Sequence, residues 1–484
     1  MSRLIQPEAA GGAPAYFMGY FSSGPNQTHK QEKLHYAYSR DGLHWYELNE
    51  NRPVFGTSLG EGILRDPFIA KGADGNWHMV FTIRPRGEYI GYCRSSDLIT
   101  WEDERKLPVM KGIDDCMNSW APEFTYDPER NQYLIYWASS CGQDLGNSKH
   151  YSAWTPDWIT LTEPSLFFDP GYQTIDASLA EHEGKYYMAV KDESVVYDRS
   201  VKHPCRNVLA VSDRLEGPYT VETGFRTPDY TEGPEFLKLE GTNRWLLFYD
   251  YWSYGKFGIM ETTDFREWRE LGEDEFRIPY RARHNTVFPI SEPELARLLD
   301  KYALLAQYGT PTNAPVRLAA EEPEGFLHSA FSLRTIVMQF SPNQLAGTQV
   351  LFDEGDSKNG MALRIREGGL EAAVVSEGER VMLQAPVDAS AGGKWRHAAL
   401  SFAEGTVSLY LDGRLADRVR AGFAIVGPHT GAGGYGGRFG SDAFGDTHGK
   451  DPFDGEIRQV KLYSVPLQEA DIAMMAKPLT AAVL

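Results

Sequence analysis

Ser39-Arg40-Asp41-Gly42-Leu43-His44-Trp45 returns in altered form before residue 270. Ser96-Asp97-Leu98-Ile99-Thr100-Trp101 and Thr263-Asp264-Phe265-Arg266-Glu267-Trp268 keep the same Asp and Trp spacing. Ser212-Asp213, with Tyr219 after Gly217-Pro218, is a looser copy, and Asp157-Trp158 is a degraded one. The five Asp positions, 41, 97, 157, 213 and 264, are separated by 56, 60, 56 and 51 residues. A repeat of that length with several strands per unit predicts propeller blades.

Aromatic runs bounded by Gly, Asn and Asp recur with the same period and read as strands. They are Tyr16–Phe21, Trp77–Thr82, Tyr133–Trp137, Tyr186–Val190 and Trp245–Tyr249. Ahead of the later runs stand acid-bearing segments: Arg65-Asp66-Pro67, Trp120-Ala121-Pro122-Glu123, Thr174-Ile175-Asp176 and Glu232-Gly233-Pro234. The first unit lacks one. Arg283-His284-Asn285-Thr286-Val287-Phe288-Pro289-Ile290 is expected to supply its inner strand from the other end, closing the ring and covering exposed edges. The expectation is an all-β chain, with a five-bladed propeller over residues 1–290.

Beyond Ile290 the pattern changes. Ser291-Glu292-Pro293-Glu294 reads as a capping box before a short helix with Leu295, Leu298, Leu299 and Tyr302 at helical spacing. A proline-containing linker continues to residue 325. From residue 326 to 484, alternating strands such as Val407, Leu409 and Leu411, ending at an Asp412-Gly413 turn, predict a β-sandwich of jelly-roll type. The run Gly431–Gly437 lacks the Lys-Ser/Thr and helix of a phosphate loop and is read as a sandwich loop.

The net charge of −19 argues against nucleic acid or an anionic membrane as partner. No apolar run approaches a membrane span. Met1-Ser2-Arg3-Leu4-Ile5-Gln6-Pro7 has no signal-peptide core, which leads us to expect a cytoplasmic protein. Four cysteines without a CxxC pair are expected to be free thiols.

In a propeller the inner strands line one funnel, so Asp66, Glu123, Asp176 and Glu232 are expected to converge. Converging carboxylates repel and their pKa values separate, as glycoside hydrolysis requires. Because residues i and i+3 of a strand face opposite sides, only one of Glu232 and Glu235 is expected to face the funnel.

The order Asp66-Pro67, Trp120-Ala121-Pro122-Glu123, Ile175-Asp176, Glu232-Gly233-Pro234 and Arg283-His284 resembles glycoside hydrolase family 43, over about residues 15–290. The resemblance implies an inverting glycosidase acting on L-arabinofuranosides or D-xylosides; exo action, releasing the pentose from short oligosaccharides, is expected from the lack of a visible leader and a supply of imported fragments. By it Asp66 is the general base, Asp176 tunes pKa and orientation, and Glu232 is the general acid. Trp120, Glu123, Arg283 and Trp252 are expected to bind substrate, with Tyr251 and Phe257 as further sugar platforms. His284 resembles the family's axial histidine, often near a calcium in the channel; no cofactor is otherwise expected. Asn285, where Gly is common, departs from the pattern. A retaining fructan hydrolase and a non-catalytic carbohydrate-binding protein are the alternatives.

Lys394–Leu400, Tyr410–Gly413 and Phe453–Ile457 resemble laminin-G/concanavalin-type sandwiches. Glycan binding, a structural role beside the propeller and formation of a homo-oligomer are all compatible with that fold.

Overall fold

The computed structural model describes residues 15–22, 32–142, 145–194, 205–251, 255–318, 327–388, 392–439, 443–445 and 451–477. The chain forms two compact units, Met1–Lys301 and Tyr302–Leu484.

Among the described residues the first unit holds twenty strands. They run β1 (Ala15–Ser22), β2 (Lys33–Ser39), β3 (Tyr46–Glu47), β4 (Arg65–Lys71), β5 (Trp77–Thr82), β6 (Ile90–Ser95) and β7 (Glu102–Leu107). Next come β8 (Trp120–Asp127), β9 (Gln132–Ser139), β10 (Lys149–Thr155) and β11 (Ser165–Phe168). β12 (Thr174–His182), β13 (Lys185–Asp192), β14 (Arg206–Ser212) and β15 (Thr220–Arg226) follow. The last are β16 (Thr231–Lys238), β17 (Trp245–Tyr251), β18 (Lys256–Thr262), β19 (Arg269–Glu270) and β20 (Arg283–Ile290).

Four sheets take their strands consecutively: β4 to β7, β8 to β11, β12 to β15 and β16 to β19. The fifth has the order β20-β1-β2-β3, so the C-terminal strand pairs with the N-terminal one as expected, Phe17 opposite Phe288. The leading strands pack in a closed cycle, β4 on β8, β8 on β12, β12 on β16, β16 on β20 and β20 on β4.

In four of the five sheets the repeated Asp motif is a turn that caps the outer hairpin. Asp97 Oδ1 accepts the N–H groups of Ile99 and Thr100, both at 2.8 Å. Asp41, Asp157 and Asp264 do the same for the residues two and three further on. A short side chain that ties down its own backbone favours such turns. The Trp of the first copy, Trp45, is fully buried and meets Phe248 edge-on, cementing the first sheet to the β16–β19 sheet.

The helix α1 (Glu292–Tyr302) begins at the expected place. Its box is half reciprocal: the Ser291 N–H and hydroxyl both donate to the Glu294 carboxylate. Arg40 grips Glu292 bidentately and Lys71 pairs with Glu294, so the helix is fastened to the propeller unit.

In the second unit Leu304–Tyr308, Gly455–Tyr463, Leu333–Pro342, Arg396–Ala403, Thr406–Leu411 and Arg414–Arg420 form one sheet in that order. A second sheet includes Thr348–Gly355, Gly360–Arg366, Gly369–Ser376 and Glu379–Pro386. Ile336, Met338, Phe340, Leu363, Leu400 and Leu409 share its buried core. Asp412 and Gly413 both have positive φ, as the tight hairpin turn requires. Leu304–Tyr308 and Val316–Arg317, read in sequence as helix end and linker, are short edge strands; five and two residues carry too little alternation to be seen. Gly433–Tyr435, read as loop, is also a strand, paired with Phe352–Glu354.

Candidate active site

Every leading strand of the propeller unit breaks its register at the same place. The bulges lie between Arg65 and Phe68, Trp120 and Glu123, Ile175 and Ala177, and Glu232 and Glu235, with one in β20 beside Asn285. At each stands a residue with positive φ: Asp66 (50°), Ala121 (44°), Asp176 (52°), Gly233 (55°) and His284 (30°). A bulge re-aims side chains at a strand's end and is a frequent neighbour of active sites. Here five of them form one layer. Two residues further along each strand stand Phe68, Glu123, Ser178, Glu235 and Thr286, and one residue earlier Arg65, Trp120, Ile175, Glu232 and Arg283.

The expected acids therefore come from different layers. Asp66 and Asp176 occupy the bulge, Glu232 the position before it, and Glu123 the second position after it. The structure nevertheless brings Asp66, Asp176 and Glu232 around one side chain, the buried His284. Its Nδ1 lies 3.2 Å from Asp66 Oδ1, and its Nε2 lies 3.5 Å from Glu232 Oε1 and 3.9 Å from Asp176 Oδ2. Asp66, Glu123, Asp176, Gly233 and His284 line one cavity.

Against the expectation that only one of Glu232 and Glu235 faces inward, the bulge between them breaks the two-residue period and both carboxyl groups are buried. Glu235 meets Glu123 in the next layer, where it also accepts the Ser178 hydroxyl at 3.0 Å.

Three residues of the site escaped sequence reading: Lys191, Asp250 and Glu193. Lys191 Nζ donates to Glu232 Oε2 at 2.8 Å and reaches Glu193 at 2.7 Å. Arg283 Nη2 bonds the other Glu232 oxygen. The Asp250 carboxylate accepts the His284 N–H at 3.0 Å. In register, Thr82, Lys191 and Asp250 stand opposite the residue that precedes the bulge, and Thr82 donates to Asp66 at 2.7 Å. The available signal was a polar residue closing an apolar middle strand, as in Tyr186–Lys191 and Trp245–Asp250.

The charges in this group decide one another's protonation. Burial alone would raise Glu232, but Lys191, His284 and Arg283 hold it well below the ordinary carboxylate range. Burial raises Asp176, against the pull of His284 and Lys191. Burial would lower His284, yet Asp176, Asp66, Glu232 and Asp250 lift it to about 9. The surrounding carboxylates thus favour the imidazolium, whose Nδ1 faces Asp66 and whose Nε2 faces Glu232 and Asp176 at ion-pair distance. The carboxyl pKa values do separate, with Asp176 the higher and Glu232 the lower.

Asp176, Glu232 and His284 lie close enough to share an ion, their ligand atoms all within 4.8 Å of one another. Calcium takes six to eight oxygen ligands, so an ion here would need water to complete its shell, and it would compete with Lys191 and Arg283 for Glu232.

Trp120 is half-buried beside the cavity-lining residues Ala121 and Pro122, and its indole N–H donates to Pro85 C=O at 2.9 Å. Trp252 lies outside the described residues. Phe257 is a core residue of the β16–β19 sheet, packed among Leu246, Phe248 and Ile259, and so is no sugar platform.

Residues 13–296, more than half of the chain, match the glycosyl hydrolase 43-related family, described as "Probable glycosyl hydrolase domain", and the chain belongs to it. Residues 316–473 match the concanavalin A-like lectin/glucanases superfamily. An alpha-L-arabinofuranosidase of Bifidobacterium longum subsp. longum is 23% identical over 233 residues, which are 40% of this chain and 22% of that protein. The chain thus spans about a fifth of the length of this curated relative. Among solved structures, a Cellvibrio cellulosa alpha-L-arabinanase complexed with arabinohexaose is 15% identical, covering 56% of this chain and 97% of its own, with a TM-score of 0.41. The GH43 BlXynB protein from Bacillus licheniformis is 13% identical, covering 94% and 96%, with a TM-score of 0.37.

Proposed function

We propose that this protein is an inverting exo-glycosidase that releases a terminal pentose, L-arabinofuranose or D-xylose, from oligosaccharides. The observation that carries this reading is the meeting of Asp66, Asp176 and Glu232 around His284. The names of the relatives, an arabinofuranosidase and an arabinanase, support a pentose substrate.

In the proposed single displacement, Asp66 takes a proton from the water that attacks the anomeric carbon. Thr82 and His284 fix the Asp66 carboxylate while it does so. Glu232 gives a proton to the departing oxygen, and Asp176 sets the field around it. Each such acid or base is worth ~10²–10⁴-fold in rate.

A second reading of the proton donor has an observation of its own. Asp176 is the carboxyl whose pKa is raised, whereas Lys191 and Arg283 favour the charged form of Glu232. Asp176 would then carry the proton and Glu232 would anchor the two cations. Leaving-group dependence separates the two. Removing the donor slows natural glycosides far more than activated aryl glycosides, so Glu232→Gln and Asp176→Asn are compared on both substrate types.

Aryl α-L-arabinofuranosides and β-D-xylosides test the activity itself, with proton NMR following the anomer released first. Inverted monosaccharide is the expected product. Turnover that survives Asp66→Asn, Asp176→Asn and Glu232→Gln alike would place the chemistry elsewhere. Turnover of none of these glycosides, with binding of oligosaccharide intact, would make this a carbohydrate-binding protein.

A further inference from the structure

Two of the four cysteines face each other across a β-bridge. Cys116 lies ahead of β8, Cys141 lies just after β9, and they form an isolated antiparallel pair. The flanking backbone bonds run from Met117 N–H to Ser140 C=O at 2.9 Å and from Gly142 N–H to Asp115 C=O at 3.0 Å. The Cys141 N–H itself donates to Asn147 Oδ1 at 3.2 Å. Cys116 and Cys141 are therefore a non-hydrogen-bonded pair, the kind in which Cα atoms stand about 4.5 Å apart and the side chains are closest. That spacing falls inside the range of about 4.4–6.8 Å a disulfide spans.

Both residues are half-buried, whereas Cys93 in β6 and Cys205 ahead of β14 are buried. Cys141 Sγ lies 3.6 Å from the Tyr151 hydroxyl, and Cys116 Sγ lies 3.4 Å from the Asn118 carbonyl oxygen. Burial, and then the neighbouring Cys141, push the Cys116 thiol up to about 11. Cys116 is consequently slow to react at neutral pH and faster as pH rises, since the thiolate is the nucleophile.

We propose that Cys116 and Cys141 form a reversible oxidation site, closing to a disulfide that ties the entry of β8 to the exit of β9. Hydrogen peroxide supplies the oxidising equivalents. One sulfur attacks the peroxide oxygen, the O–O bond breaks, and a sulfenic acid and one water result. The second thiol attacks that sulfur, the S–S bond forms, and a second water leaves. Two thiols lose two protons and two electrons, and hydrogen peroxide becomes two waters. The strand so tied begins with Trp120, beside the candidate active site, while Ser119 is held by the Gly87 carbonyl at 3.1 Å.

The test uses the full-length protein. After hydrogen peroxide at pH 8.5, chosen to raise the thiolate fraction, it is denatured and its remaining thiols are alkylated. Unreduced peptides are then mapped by mass spectrometry. The untreated protein takes four labels, one per cysteine. The treated protein is expected to take two, to show the Cys116 and Cys141 peptides joined, and to regain four after dithiothreitol. Cys93→Ser retains the joined peptide and Cys116→Ser loses it. Four labels after treatment would overturn the proposal. So would sulfinic acid without a link, or a link from Cys116 to Cys93 or Cys205.

Discussion

Glu123 of β8 and Glu235 of β16, from sheets with the β12–β15 sheet between them in the ring, hydrogen-bond carboxyl to carboxyl in the layer beyond the bulge. Such a contact exists only while at least one of the two is protonated. The Tyr136 hydroxyl donates to Glu123 at 2.5 Å and the Ser178 hydroxyl to Glu235 at 3.0 Å. Burial lifts Glu235 to about 8, and burial with the Glu235 charge lifts Glu123 well above its ordinary range.

The sign of the resulting pH dependence follows from linkage. A carboxyl raised in the folded state keeps its proton between about pH 4.5 and 8, while the unfolded chain releases it. Stability then falls as pH rises through that window, by at most ~1.4 kcal/mol per unit for this group. Glu235→Gln keeps a neutral hydrogen-bonding partner and removes the titration. Urea unfolding is expected to place the variant within about 1 kcal/mol of the parent at pH 5 and above it by ~1–3 kcal/mol at pH 9. An unchanged pH dependence would show that the pair holds no such proton.

Lys191 sits against the carboxylate proposed as proton donor, and removing it raises the Glu232 pKa. Lys191→Met is therefore expected to lower kcat/KM by ~10-fold or more at neutral pH, by leaving buried Glu193 and Glu232 without their shared cation. If Glu232 is the acid, the alkaline limb of the pH–rate profile moves upward in the variant. If Glu232 acts only as an anion, the acidic limb moves upward instead.

Asp66 holds its place through the bulge and through Thr82, whose hydroxyl donates to Asp66 and accepts the Ala121 N–H at 3.0 Å. Asp66→Asn keeps the shape and removes the base. A loss of ~10²–10⁴-fold in kcat is expected, with KM little changed. Any glycosyl azide formed on adding azide should have inverted configuration; a retained one would require a covalent intermediate on a carboxylate other than Asp66.

The sequence made the repeats legible because four of the outer turns are tied by their Asp and each middle strand carries aromatic bulk. It also made Asp66, Asp176, Glu232 and His284 legible, because each stands in a short motif at a strand start. The layer each acid occupies was not legible. A bulge has no fixed residue type, and Ala121 and Gly233 hold the same backbone position as two aspartates and a histidine. Lys191 and Asp250 were hidden for another reason: each closes an apolar strand, where a charged residue ordinarily marks solvent. Only strand register puts them opposite the pre-bulge residues.

Gly233 tests the bulge layer most directly. Its φ of 55° is left-handed, and a Cβ there would stand 2.9 Å from Cδ2 and Cγ of the His284 ring. Ala121 shows that the backbone conformation alone accepts a methyl group, so the cost at Gly233 arises from the imidazole. Displacing His284 loosens its contacts with Asp66, Asp176 and Glu232 together. Gly233→Ala is expected to destabilise the fold by ~1–3 kcal/mol, as overpacking does, and to lower kcat by ~10-fold or more. Ala121→Gly, at the equivalent position without a ring to strike, should leave kcat within about threefold of the parent. The two variants are compared by thermal melting and by turnover of one aryl pentoside. Equal effects would mean that the layer is backbone scaffolding and that His284 does not organise the acids.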